Sequence, residues 1–361
     1  MSHVEELLRP ELADIKPYLP VLGSFRVRLD ANEAPPLMGA HVAERLVREV
    51  ARVPFERYPD ATTSELRAAV AERLGVRSEE VLLGVGSDEI ITMLLTAFAR
   101  PRRGNEPPAV LTTTPTFVMY RLSAKLRGQR VIEVPLDAEW DLAEESLLRG
   151  IEMAEPHLVF IASPNNPTGV VARPERLARV IERAERSLVV IDEAYVNYAD
   201  RDVLELFRRH ENVVVLRTLS KIGFASLRVG WLVGNAKLVA ELDKVRSPYN
   251  MNGLSLALAT VVLRELWGDV EQLVAAVKSE RARLVSALSA LPSLELTPSQ
   301  ANFVWVKTAR PAADVFSELS ARGVLVRSFH ASGGRLARQL RITVGTPAEN
   351  DELVRCLREL A

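Results

Sequence analysis

A lysine stands at the centre of the residues in this chain that could do chemistry. Thr218-Leu219-Ser220-Lys221 follows directly on the apolar, β-branched run Val213, Val214, Val215 and Leu216, and Arg228 comes seven residues after the lysine. Imine formation needs a lysine amine that has shed its proton, and partial burial at a strand end together with a cationic neighbour favours the neutral form. The flanking hydroxyls and the arginine also suit a phosphate. Three further clusters sit behind apolar runs. Gly84-Val85-Gly86-Ser87-Asp88-Glu89 precedes the helical pattern Ile90, Ile91, Leu94, Leu95. Its backbone N–H groups can meet a phosphate at a helix N-terminus, with Ser87 expected as the N-cap. Ser163-Pro164-Asn165-Asn166-Pro167-Thr168-Gly169 follows Leu158 to Ala162, the end of a parallel strand where α/β sheets bind ligands. Asp192-Glu193-Ala194-Tyr195 follows Val189-Val190-Ile191, where an acid must be paired or hydrogen-bonded to stay charged. Taken one at a time, these clusters read equally as a tight connection, an elaborate turn and a helix cap. A carboxylate, an amide, a phenol and a lysine at the strand ends of one sheet are harder to explain as four unrelated turns.

The elements that must position these groups are written in the hydrophobic pattern. Val81 to Val85, Ala109 to Thr113, Val131 to Val134, Leu158 to Ala162, Leu188 to Ile191, Val213 to Leu216 and Val229 to Val233 are short apolar runs separated by helical patterns. Such alternation predicts an α/β domain on a buried, mostly parallel sheet. Leu66, Ala69, Val70 and Leu74 form the stripe of an amphipathic helix over Glu65 to Leu74, capped by Thr63 or Ser64; Glu175 to Ala184 reads likewise. After Trp267 the texture changes to one long amphipathic helix, Val270 to Leu288, then strand-like Asn302 to Val306, Val324 to Val326 and Leu340 to Val344, and a final helix from Glu349. A chain of 361 residues exceeds what one core usually supports. The expected division is a large α/β domain over 36–266, a smaller α+β domain over 267–361, and a Pro-rich segment over 1–35 that packs with the small domain.

Composition excludes several classes. Forty-six basic residues against 47 acidic ones leave a net charge of -1, without the electrostatic footprint of a nucleic-acid binder. His3, His41, His157, His210 and His330 show no ligand spacing, so no metal site is expected. Cys356 is the single cysteine and reads as a structural thiol on the C-terminal helix. No run of about 18 apolar residues exists to cross a membrane, and Glu5, Glu6 and Arg9 argue against a signal peptide. A cytoplasmic location is expected.

Ser163 to Gly169, Asp192 to Tyr195 and Thr218 to Arg228 together resemble the signature of the fold type I pyridoxal-phosphate aminotransferases. Arg57-Tyr58-Pro59-Asp60, Gly84 to Glu89 and Leu340 to Gly345 resemble the histidinol-phosphate branch of that family, and the likeness runs in order from Leu29-Asp30-Ala31-Asn32-Glu33 into the C-terminal region. The resemblance implies a pyridoxal 5'-phosphate enzyme that exchanges the amino group of L-histidinol phosphate with 2-oxoglutarate, in histidine biosynthesis, by a ping-pong mechanism. It implies that Lys221 carries the cofactor as a Schiff base and acts as general base, and that Asp192 pairs with the pyridine nitrogen. Asn166 and Tyr195 would hydrogen-bond the ring's phenolic oxygen, and Phe117 would stack on the ring. Ser87, Asp88, Thr218, Ser220 and Arg228 would bind the phosphate, and Tyr58 would reach that phosphate from the partner subunit of a homodimer. Arg341 and Arg327 would grip the substrate anion, with Tyr18 and Asn32 in the same pocket.

The chain departs from that pattern in details. Lys221 to Arg228 is one residue shorter than in many relatives, Ser226 stands where glycine is frequent, and Phe117 replaces a commoner tyrosine. Rival readings on the same scaffold are an aromatic or broad-specificity aminotransferase and a threonine-phosphate decarboxylase, which fold alone does not separate. A ligand-sensing module of a DNA-binding regulator is the rival from another class. About thirty residues before the first motif are too few for a helix-turn-helix head, and the charge lends it no support.

Overall fold

The computed structural model describes residues 3–9, 12, 15, 17, 21–102, 104 and 106–360. Its strands are β1 (Val27–Leu29), β2 (Val81–Val85), β3 (Ala109–Thr114), β4 (Arg130–Pro135), β5 (Leu158–Ala162), β6 (Leu188–Asp192), β7 (Val213–Thr218), β8 (Val229–Val233), β9 (Leu294–Thr297), β10 (Phe303–Thr308), β11 (Val324–Ser328) and β12 (Gln339–Thr343). Seven of them form a sheet in the order β2-β8-β7-β6-β5-β3-β4. Strands β4, β3, β5, β6 and β7 pair parallel, whereas β8 runs antiparallel to both neighbours. The link from β7 to β8, residues 219–228, is too short for the crossover of a dozen or more residues that a parallel return needs.

Continuous apolar runs make sense here because both faces of this sheet are covered. Odd-numbered side chains such as Val159, Ile161, Val189, Ile191, Val213 and Val215 join the larger core, with Leu147, Leu177 and Val180 from the helices Glu144–Ala154 and Pro174–Arg183. Even-numbered ones, Leu158, Phe160, Val190, Val214 and Leu216, pack on Ile90, Leu94, Tyr120 and Val239 from the opposite layer of helices. Helices thus sandwich the sheet.

The second sheet has the order β1-β11-β12-β10-β9. Here β1 adds in parallel to β11, Val27 opposite Val324 and Leu29 opposite Val326, which ties the segment before residue 30 to the C-terminal part of the chain. The long helix Trp267–Ser289 buries Val270, Leu273, Val277, Leu284 and Leu288, and Cys356 is buried in the helix Pro347–Leu360. That last helix begins at Pro347 rather than Glu349. Proline suits the first helical position, and Thr346 and Glu349 exchange a reciprocal pair of cap hydrogen bonds.

One expected cap is corrected and another holds in position only. Ser87 is not an N-cap, because its helix already starts at Gly86 with φ +73° and the Val85 N–H donates to Glu89. Thr63 does occupy the N-cap of the helix Ser64–Leu74, in a left-handed conformation, but its side chain makes no cap hydrogen bond; Asp60 instead accepts from the N–H groups of Thr62 and Ser64. The Ser64 and Thr62 hydroxyls also donate to this carboxylate, each at 2.6 Å, and they chiefly, with the N–H groups, hold it far below the ordinary carboxylate range.

Candidate active site

Strands β5, β6 and β7 end side by side, Ala162 opposite Asp192 and Asp192 opposite Leu216, so their following loops meet. A cavity of about 520 Å³ opens there. Lys221, Asp192, Tyr195, Asn166, Phe117, Ser87, Asp88, Thr218, Ser220, Arg228, Asn32, Arg327 and Arg341 all line it.

Lys221 is part-buried at the end of the β7 loop, its Nζ 5.9 Å from the centre of the Tyr195 ring. Tyr198, fully buried, donates from its hydroxyl to the Lys221 carbonyl at 2.6 Å and pins the backbone. Asp192 ends β6 on the even face, while the next residue, Glu193, turns to the odd face and pairs with Arg217. Only Asp192 therefore serves the cavity. Burial pushes its carboxyl above the ordinary range; the Tyr120 O–H at 2.6 Å on Oδ2 and the Ala194 N–H at 2.9 Å on Oδ1 oppose that shift. Tyr120 is itself wholly buried, which raises its hydroxyl well above the phenol range and keeps it a donor.

At one end of the cavity Thr218 Oγ1 and Ser220 Oγ lie 2.9 Å apart. The Arg228 guanidinium reaches Ser220 Oγ at 3.5 Å and Asp88 Oδ2 at 3.3 Å, over the N-terminus of the helix Gly86–Ala97. A side chain at Gly86 would start 2.8 Å from Arg228 Nη2, and one at Gly230 would strike Ser87 N at 2.6 Å. Two hydroxyls, a guanidinium and the N–H groups of a helix's first turn, kept open by two glycines, fit the phosphate of pyridoxal phosphate. Phe117 and Ala194 line the cavity beyond this cradle, and the buried Asp192 carboxylate suits a pyridine N–H.

The other end is built by the second sheet. Arg327 and Arg341 stand directly opposite each other on β11 and β12. Like charges directly opposite each other in a sheet are destabilising, and both side chains line the cavity, where an anion would fit. Arg341 is buried and donates from Nη1 to Asn166 Oδ1 at 2.6 Å and from Nη2 to the Asp30 carbonyl at 2.5 Å. Asn32, also buried, donates from Nδ2 to the Tyr195 hydroxyl at 2.9 Å.

Tyr58 does not line the cavity. It is 81% exposed, stacked at 4.8 Å on Tyr249. Tyr18 lies outside the described residues. Sequence reasoning passed over Tyr120, Thr343 and Phe329. Tyr120 had a usable signal, standing three residues after Phe117 on the first turn of the helix Val118–Lys125 and hence on one helix face with it.

Among known proteins, a histidinol-phosphate aminotransferase from Chromobacterium violaceum is 39% identical over 358 residues, covering 98% of each chain. The crystal structure of a histidinol-phosphate aminotransferase from Sinorhizobium meliloti in complex with pyridoxal-5'-phosphate superposes with a TM-score of 0.85, covering 100% of this chain and 99% of that one at 24% identity, and so shares the fold. An L-threonine-O-3-phosphate decarboxylase from Porphyromonas gingivalis shares it too, with a TM-score of 0.79 at 19% identity over 92% of this chain and 99% of that one. Residues 26–357 match the family described as aminotransferase class I and II, and the chain belongs to that family.

Proposed function

We propose that this chain transfers the amino group of L-histidinol phosphate to 2-oxoglutarate, forming 3-(imidazol-4-yl)-2-oxopropyl phosphate and L-glutamate, in L-histidine biosynthesis. The observation that carries the reading is one cavity lined together by Lys221, Asp192 and Tyr195, by the residues of a phosphate cradle and by a pair of arginines. The substrate follows from likeness over nearly the full length to enzymes of that name.

Pyridoxal phosphate, when bound, supplies a carbonyl that takes up the amino group and a ring that spreads the electron pair left on the substrate carbon. Thr218, Ser220, Arg228 and the backbone at Ser87 and Asp88 would hold its phosphate, and Phe117 would cover a ring face. Asp192 would keep a proton on the ring nitrogen. Asn166, whose Oδ1 is occupied by Arg341, has its Nδ2 left to donate to the ring's phenolic oxygen, as the Tyr195 hydroxyl also does. Lys221 Nζ would hold the cofactor's carbonyl carbon and, as the amine nearest the reacting carbon, would take the proton from the carbon bearing the amino group. Histidinol phosphate has no carboxylate on that carbon. Its phosphate and the carboxylate of glutamate would therefore occupy the same place in turn, before Arg327 and Arg341, with Asn32 beside them. One site serving two substrates predicts ping-pong kinetics.

Tyr58, exposed and outside the lining of its own chain's cavity, is assigned to the phosphate of a second copy, making the working unit a homodimer. The division at 35/36 and 266/267 and a cytoplasmic location complete the proposal; it is supported by β1 joining the second sheet and by the absence, among the described residues, of a helix able to cross a membrane. An absorbance titration of the cofactor-loaded protein tests the reaction. L-Histidinol phosphate should abolish the visible band of the bound cofactor and 2-oxoglutarate should restore it. Equal conversion by L-phenylalanine would mean a broad aminotransferase, and carbon dioxide release from O-phospho-L-threonine would mean a decarboxylase.

A further inference from the structure

We propose that Asn32 is a positioning residue that fixes the direction of the Tyr195 hydroxyl proton, so that the second sheet controls a hydrogen bond donated into the cavity. The inference rests on the assignment of Tyr195 to the cofactor's phenolic oxygen.

The argument lies in the order of donors and acceptors. The Asn32 backbone N–H donates to Thr343 Oγ1 at 3.0 Å. That hydroxyl, having accepted, turns its own proton toward Asn32 Oδ1 at 3.2 Å. With Oδ1 taking that proton as the acceptor end of the amide, Nδ2 faces Tyr195 and donates to its hydroxyl oxygen at 2.9 Å. Among the described residues no group accepts the Tyr195 hydroxyl proton, so with one lone pair taken by Asn32 the proton is left to point into the cavity that Tyr195 lines. Had the amide been flipped, Tyr195 would donate to Asn32 and offer the cavity only an acceptor.

The scaffold around Asn32 holds this order in place. Its carbonyl accepts from Asn302 Nδ2 at 2.9 Å, it is 1% exposed, and its φ of +56° is a conformation that asparagine tolerates better than most residues. Arg341 and Thr343 project from the same face of β12, the first holding the Asp30 carbonyl and the second Asn32. Asn32 and Tyr195 are 163 residues apart, so the bond joins the two sheets directly at the reacting centre.

A donor to the phenolic oxygen favours the form of the bound cofactor in which its imine nitrogen has lost the proton, because that oxygen then has no internal donor. Removing Asn32's control should raise the pH midpoint of the visible absorbance of the loaded protein. Asn32→Gly keeps the left-handed backbone and deletes the amide, and should raise the midpoint by about one pH unit. Thr343→Val, which leaves Asn32 present but unoriented, should shift it in the same direction by less. In a Tyr195→Phe background neither substitution should move the midpoint further. If Tyr195→Phe shifts the midpoint and both other variants leave it unchanged, this inference is overturned and the role of Tyr195 stands. An unmoved midpoint in Tyr195→Phe overturns both. A shift by Asn32→Gly that persists undiminished in the Tyr195→Phe background shows Asn32 acting by another route and also overturns the inference.

Discussion

Tyr120 donates its hydroxyl to Asp192 Oδ2 at 2.6 Å, with both side chains buried on the same face of the large sheet. The phenol therefore supports the ionised form of a carboxylate that its surroundings otherwise push toward neutrality. Tyr120→Phe should let the Asp192 carboxyl rise further. The acid limb of the kcat/KM profile should then move upward by about one pH unit, with little change on the alkaline side. A pH profile of the variant beside the parent protein checks this.

The same burial makes Asp192 a cost to the cofactor-free fold. A carboxyl whose folded value lies above its unfolded value binds more protons in the native state, so this contribution to stability falls as pH rises through that window. At neutral pH, Asp192→Asn should raise the melting temperature of the cofactor-free protein while lowering turnover of the loaded enzyme by roughly a hundredfold or more. Calorimetry without cofactor, paired with turnover with it, separates the two effects.

Arg228 should matter for holding the cofactor more than for turning it over. Arg228→Ala removes the guanidinium from above the helix N-terminus and should weaken cofactor binding by roughly 10–100-fold. Gly230→Ala should do comparable damage without touching charge, since its Cβ would meet the Ser87 backbone at 2.6 Å. Equilibrium dialysis of pyridoxal phosphate measures both.

The opposed arginines predict a shared loss. Arg341→Ala should raise KM for histidinol phosphate and for 2-oxoglutarate alike, each by roughly 10–100-fold, because one anion pocket serves both substrates. Steady-state kinetics with each substrate varied in turn would expose a penalty confined to one of them.

Tyr58 offers a test of the assembly. Lys221→Ala and Tyr58→Ala chains, each inactive alone, should regain roughly a quarter of the wild-type sites when mixed one to one and refolded, because each mixed dimer then contains one intact site. No recovery would place Tyr58 outside the partner's cavity.

Much of the architecture was legible in residue order. The apolar runs at Val81–Val85, Leu158–Ala162 and Val229–Val233 coincide with strands because a sheet covered on both faces demands consecutive apolar residues. Lys221, Asp192 and Asn166 stood out because polar residues directly behind such runs occupy strand ends, where the cavity lies. These are local signals, and periodicity encodes them locally. Tertiary structure alone decided which distant groups meet. Tyr120 finds Asp192 across 72 residues, and Asn32 finds Tyr195 through a strand, β1, that joins the far sheet. The register of β11 on β12 brings Arg327 opposite Arg341. Even the start of the Gly86 helix escaped the capping rule, since the tight approach of Gly230 and Arg228 sets how the chain enters it. Register and close approach are sums over many weak contacts between remote segments, and no single stretch of sequence contains that sum.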